Sequence, residues 1–253
     1  MTAPKPFTGT ALKRIACLAM LLDHIGASCL EVGVMVLWPN PTGCTTFAAL
    51  AAADPAFAPL YWTDYALRMA GRLSFPLYCF LLAEGFAHTR SLPRYARRLG
   101  LFALLSEVPF DLAFFGTPLH PGHQNVYFTL LLGLGALWWL QRHPNEHTLG
   151  GWLCRYGGLT AFAAAAQLLN TDYGAMGVVL VAVFRLYRGT PLLRSLLAGI
   201  LLCDNPTALL ALPLTHGYNG QRGRCTPAEA KLFHAFYPVH LALLAAITCL
   251  LRR

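Results

Sequence analysis

Residues Lys13 to Gly26 read Lys-Arg-Ile-Ala-Cys-Leu-Ala-Met-Leu-Leu-Asp-His-Ile-Gly, and the stretch Ile15–Leu37 around Asp23 and His24 is mostly apolar. A helix that starts near Lys13 carries His24 roughly 15–20 Å along its axis. That depth is near the middle of a hydrocarbon layer about 30 Å thick. An ionisable residue there is costly unless it is paired or reaches water, which makes it a candidate functional group. An imidazole in a protein-lined cavity can take a proton from an attacking amine or hydroxyl near neutral pH. Three chemistries are then open: acyl transfer, proton transfer in transport, and metal binding. Asp23 and His24 lie about 100° apart around a helix, so Asp23 is badly placed to orient the ring. A carboxylate partner for His24 is expected from another helix.

Other polar residues lie inside apolar runs. Glu107 and Asp111 are spaced i, i+4 and share a helix face, either lining a wet cavity or pairing with a base such as Arg72. Arg72 either snorkels or faces the interior, and Glu84, three turns later, either lines the site or pairs with nearby arginines. Asn125 and Thr129 open one helix, and Asp172-Tyr173 precedes another, where Asp172 is either an N-cap or a site residue. His240 is a second histidine within an apolar run. The stretch Gly217–Gly223, with Asn219 and Arg222, reads as a flexible basic loop. Its backbone N–H groups could cradle an anion, or it is an ordinary Asn-Gly turn.

The elements that must position these groups are helices in a membrane. Hydrophobic residues make up 56% of the 253 and charged residues only 12%, about half the usual charged share of soluble domains. The net charge of +8 comes from basic residues at the ends of apolar runs. It reads as a topology signal and not as a nucleic-acid surface. None of the eight cysteines forms a Cys-x-x-Cys pair, no metal-ligand cluster is visible, and no cleavable signal peptide is evident. The expected helices cover about 11–38, 66–88, 94–116, 125–142, 150–169, 173–188 and 232–251, in one all-α domain over 1–253 with no internal repeat. A long loop is expected over about 39–65, with Pro39, Pro41, Pro55 and Pro59. The segment 191–215 is interrupted by Asp204-Asn205-Pro206, giving eight spans if it is one kinked helix and nine if it is two short ones, and the arginines favour nine. Lys5, Lys13 and Arg14 place the N-terminus in the cytosol, and the basic residues alternate sides over the first six helices. Arg252-Arg253 ends the chain on the outer side in the nine-span arrangement.

Taken in order, the motifs resemble the TraX family. They are Leu-Leu-Asp23-His24-Ile-Gly26, Arg68-Met-Ala-Gly-Arg72-Leu-Ser-Phe-Pro-Leu77, Ala83-Glu-Gly-Phe-Ala-His-Thr-Arg90, Tyr95-Ala-Arg-Arg-Leu99 and Leu105-Ser-Glu-Val-Pro-Phe-Asp111. Asn125-Val-Tyr-Phe-Thr-Leu-Leu-Leu-Gly133, Asp172-Tyr-Gly174, Tyr218-Asn-Gly-Gln-Arg-Gly223 and Phe236-Tyr-Pro-Val-His240 follow. The family is named for a conjugation protein that acetylates the pilin N-terminus, and its helical layout is similar to that of membrane acyltransferases that use acetyl-CoA. The resemblance implies a multi-pass acetyltransferase of the bacterial inner membrane. Asp23 and His24 would be its catalytic pair. Arg72, Glu84, Glu107, Asp111, Asn125, Asp172, Tyr173 and His240 would support the site. Acetyl-CoA is the implied co-substrate, held on the cytosolic face by Arg97, Arg98, Asn219 and Arg222, since the guanidinium fork matches phosphate oxygens. The acceptor would be a pilin-like peptide or an envelope glycan. The alternative reading is a proton-coupled transporter with Asp23, His24, Glu107 and Asp111 as its relay; it should show a pair of matched interrupted helices, and only one interruption is visible.

Overall fold

The computed structural model describes residues 5–39 and 43–252, and its regular structure is helical. Pro41 and Arg253 lie outside the described residues. Helix α1 spans Gly9–His24, capped by the Thr8 hydroxyl, which accepts from Ala11 N–H at 3.2 Å. The same rod continues as a π-helix over Ile25–Val34 and a last turn α2, Met35–Leu37. A ten-residue π-segment starting beside His24 is unusual, and π-turns concentrate at functional positions.

The expected loop over 39–65 is instead largely helical: α3 spans Phe47–Ala53, a 3₁₀ turn covers Pro55–Phe57, and α4 spans Ala58–Gly71. Pro55 and Pro59, two of the prolines that suggested a loop, sit in first turns, where a missing N–H costs nothing. The chain breaks at Arg72-Leu73, so the single helix expected over 66–88 becomes the end of α4 plus α5, Ser74–His88. Then follow α6 (Leu92–Phe114), α7 (Val126–Arg142), α8 (Leu149–Leu168) and α9 (Gly174–Leu186), each within two residues of the expected bounds at both ends.

The interrupted segment is a hairpin of short pieces: α10 (Pro191–Leu201), a 3₁₀ turn (Ala208–Leu210) and α11 (Ala211–His216). Its two ends meet, because Arg194 near the start of α10 donates from Nη2 to the Thr215 carbonyl near the end of α11 at 3.3 Å. Asp204-Asn205-Pro206 is therefore a turn, and the chain returns to the end of the bundle from which α10 starts. The last helix, α12, spans Pro227–Leu251.

Helix α5 is the axis of the bundle, apolar and buried nearly all round, with Leu77, Cys79 and Phe80 at 0–1% exposure. It packs against α1, α7, α9 and α11. Among the described residues two helices are long and apolar enough to cross a bilayer, the Gly9–Val34 rod and α12. Leu101, Leu104, Leu105 and Val108 on α6 and Val239, Leu243 and Leu250 on α12 point outward. In a lipid surround such faces need no cover, and cohesion comes from close packing and buried polar contacts.

Two glycines set the closest approach. A Cβ on Gly26 would lie 2.7 Å from Asp64 Oδ1, and one on Gly71 would collide with Asp23. These bare positions let α4 lie directly on the Asp23 turn of the first rod. Gly71→Ala is expected to cost about 1–3 kcal/mol by overpacking. Gly150→Ala, whose added carbon meets nothing within 4 Å, is the control. Thermal unfolding in detergent compares the two, and equal midpoints would refute the close-packing argument.

Candidate active site

His24 closes α1, and its Nδ1 lies 2.7 Å from Nε2 of His240 on α12. The two rings stack, 14° apart with centroids at 5.0 Å. The Nδ1 of His240 is 2.6 Å from the carbonyl oxygen of Phe236, one turn earlier. A carbonyl can only accept, so His240 donates from Nδ1 and, as a neutral ring, accepts at Nε2. His24 must then donate from its own Nδ1, which leaves the lone pair on its Nε2. Phe114 and Tyr237 pack edge-on against the His24 ring at 5.1 and 5.9 Å and fix its plane. The ring lines a cavity of 160 Å³ together with Asp23, Tyr78, Asp172, Tyr173 and Tyr237. The partner expected to be a carboxylate from another helix is thus a histidine from another helix.

Asp23 does not orient His24. Its Oδ2 takes an ion pair from Arg68 Nη1 at 2.8 Å, and the Arg68 Nε reaches Glu31 Oε1 at 3.1 Å. Asp23 still lines the cavity, and its Oδ1 is buried without a hydrogen-bond partner. Arg72 faces inward, toward Tyr173, Asp23 and Asp172, and of its two alternatives the pairing with the acids of α6 is not formed. Sequence reasoning missed Arg68, Glu31 and Asp64 as members of this cluster. A signal was present: Asp64, Arg68 and Arg72 recur every four residues, one charged stripe on α4.

Toward the Lys13 end, the cavity adjoins a vestibule of 480 Å³. Lys13, Tyr95, Arg98 and His234 line both spaces and form the neck between them. Arg222 lines the vestibule, as does Glu84. Glu84 is held by Arg188 in a two-pronged pair of 2.7 and 3.0 Å. Arg97 is solvent-exposed and is absent from both linings, one position around α6 from Arg98. Asn219 serves the fold: its Oδ1 accepts from Gln221 N–H at 2.9 Å, and its own N–H donates to Phe7 O at 2.9 Å. The 217–223 loop is tied to the N-terminal segment through its backbone. Gly9 N–H on Gln221 O and Thr10 N–H on Arg222 O complete its lacing to the N-terminal segment, so the amides of Asn219 and Gln221 are already in use.

At the opposite end, Glu107, Asp111 and Asn125 build a clamp and do not line the cavity. Asn125 caps α7 through its Oδ1, donates to the Ala103 carbonyl at 2.8 Å and bonds Glu107 through its side-chain amide. Asp111 accepts from His120 N–H at 2.7 Å. Asp172 and Tyr173 do line the cavity. Tyr173 adopts a left-handed backbone, φ +65°, rare for a tyrosine, and stacks on Phe75 at 3.5 Å. His123, in the loop after α6, lies 3.9 Å from Asp172 Oδ1. Among the described residues no cluster of three His, Cys, Asp or Glu side chains could hold a metal ion.

Two outcomes follow. Removing Arg68 strands Asp23, so Arg68→Met should destabilise the protein, and a cycle with Asp23→Asn should show a coupling of about 0.5–3 kcal/mol. Additive effects would mean that the pair contributes nothing. The Asp172 carboxylate holds the His123 imidazole above its ordinary value of 6.5, against the opposing effect of burial. A raised folded-state value stabilises fully below the ordinary one and is lost as pH climbs through the raised one. Melting midpoints should therefore differ more between wild type and His123→Gln below that ordinary value than well above it. A pH-independent difference would sever the link to Asp172.

The comparisons with known proteins agree with the motifs. The family model described as TraX protein matches residues 8–248. A relative named "Probable fimbrial assembly protein FimC, serogroup H1", from Dichelobacter nodosus, is 30% identical over 277 aligned positions, covering 95% of each chain. No solved structure matches. The chain is a helical membrane protein and belongs to the TraX family.

Proposed function

We propose that this protein is an acetyltransferase of the bacterial inner membrane, moving an acetyl group from acetyl-CoA to an amine or hydroxyl. One observation carries the reading. The His24–His240–Phe236 chain leaves Nε2 of His24 unprotonated inside a cavity that adjoins a basic vestibule. That is the arrangement of a general base with a route for an anionic, long-armed donor. The fimbrial name of the relative suggests a pilus subunit as acceptor. An envelope glycan is the other class.

In the membrane, the Lys13 end with Arg98, Arg188 and Arg222 faces the cytosol, following the basic residues. The α10–α11 hairpin enters from that side and returns to it, as non-spanning segments do when protein buries their backbone. The arrangement is then seven through-going helices and one re-entrant hairpin, in place of eight or nine spans.

In the reaction, Nε2 of His24 takes the proton of the acceptor as its nitrogen or oxygen attacks the thioester carbon. The carbon–sulphur bond breaks, and the proton passes from Nε2 to the departing sulphur. His240 acts through His24, fixing its tautomer and ring plane. Arg68 keeps Asp23 paired, so that a carboxylate lines the cavity without disturbing the base.

The test is turnover of radiolabelled acetyl-CoA by purified protein with a short pilin peptide or glycan fragment. His24→Ala should lower kcat by about 10²–10⁴ with binding of acetyl-CoA retained. His240→Gln, which keeps an acceptor for the His24 N–H, should retain more activity than His240→Ala, with the KM for acetyl-CoA unchanged in both. Full activity of His24→Ala would remove the base. Absence of acetyl-CoA binding by folded wild type would remove the donor and favour the proton-coupled transporter.

A further inference from the structure

Lys13, Arg98, His234 and Arg222 gather around the neck and vestibule, with Lys13 and His234 each within electrostatic reach of both arginines. Among the described residues no carboxylate pairs with Lys13, Arg98 or Arg222 within 4 Å; the six ion pairs lie elsewhere. Lys13 and Arg98 instead lie over the rings of Phe233 and Tyr95, at 5.0 and 5.2 Å. Glu84, the carboxylate of the vestibule, is committed to Arg188. Like charges assembled without counter-ions around an open-mouthed cavity are a site that an anion completes.

The position of the neck says which anion. Lys13 and His24 are eleven residues apart on one helix, about 16 Å at 1.5 Å per residue. In a phosphopantetheine arm, roughly thirteen bonds separate phosphorus from sulphur, and an extended chain advancing about 1.2 Å per bond spans about 15–16 Å. A phosphate held between Lys13 and Arg98 therefore delivers its thioester to the depth of His24.

On the acyltransferase reading, we infer that Lys13 and Arg98 bind the phosphate at the head of the pantetheine arm, and that α1 acts as a ruler between that phosphate and the base. The determinant of donor recognition is then the phosphopantetheine, with the adenine nucleotide outside the neck in the vestibule near Arg222. The same arm is carried by coenzyme A and by acyl carrier proteins, and the site reads what the two share.

The test uses intact protein in detergent and competition against radiolabelled acetyl-CoA. 4′-Phosphopantetheine should displace the label, and pantetheine, which lacks only the phosphate, should do so at least tenfold less well. This comparison needs no variant and so is immune to misfolding. Lys13→Gln and Arg98→Gln should each weaken 4′-phosphopantetheine by tenfold or more and leave pantetheine unchanged. Equal competition by pantetheine and its phosphate, or displacement by 3′,5′-ADP alone, would overturn the assignment while leaving acetyl-CoA binding, and so the acyltransferase reading, intact. No binding of acetyl-CoA at all would instead refute that reading. Acetylated carrier protein distinguishes the sources: competition as strong as that of 4′-phosphopantetheine makes it an alternative donor, and none restricts the site to coenzyme A.

Discussion

The structure depends on how two adjacent ionisable residues are satisfied deep in an apolar helix. Asp23 and His24 point about 100° apart, so no single neighbour can serve both. Helix α4 supplies Arg68 to the acid, and α12 supplies His240 to the imidazole. Each requirement brings one helix to the same turn of the first rod from a different side. The bare edges of Gly26 and Gly71 let α4 approach closely enough for its arginine to reach. Where lipid competes equally for apolar side chains, such polar demands and close backbone contacts decide which helices pack together.

The rest of the bundle grades from basic to neutral to clamped. The Lys13 end is open and cationic, with its loop laced to the N-terminal segment by backbone bonds. The middle is a cavity walled by tyrosines and phenylalanines, with α5 filling the centre behind it. The far end is closed by Asn125, Glu107 and Asp111, which spend their hydrogen bonds on the α6–α7 connection. The polar residues at membrane depth therefore divide into two kinds. Those on α1, α4 and α12 meet at the Asp23–His24 turn, and the acids Glu107 and Asp111 of α6 hold a loop.

Much of this was legible in the sequence, and the failures have physical causes. Apolar runs located α6 to α9 well, because a helix in lipid must be apolar along its length and polar at its ends. Pro55 and Pro59 misled, since proline marks a helix start as readily as a loop. His24 stood out by its depth, but its partner did not: choosing among His240, Glu107 and Asp111 requires knowing which helix packs on α1, and spacing within one helix carries no such information. Arg97 and Arg98 are indistinguishable as letters and both are exposed, but a rotation of one residue around α6 puts Arg98 on the wall of the neck and leaves Arg97 off it. Asn219 looked like an anion ligand because the turn it stabilises uses the same residues as an anion-binding loop.

That the partner of His24 is a histidine has a consequence of its own. A carboxylate in that position would bring a full charge into an apolar core and would need a counter-ion of its own. His240 fixes the tautomer as firmly, because its Nδ1–H is tied to the Phe236 carbonyl, yet it adds no charge while neutral. The acids that line the cavity, Asp23 and Asp172, face Arg68 and Arg72. The resting site thus holds a base with a free lone pair among aromatic walls, with its fixed charges compensated. Uncompensated positive charge is displaced to the neck, about 16 Å along α1. Separating the base from the cations in this way lets an anionic group be held without protonating, or being repelled from, the position where the chemistry takes place.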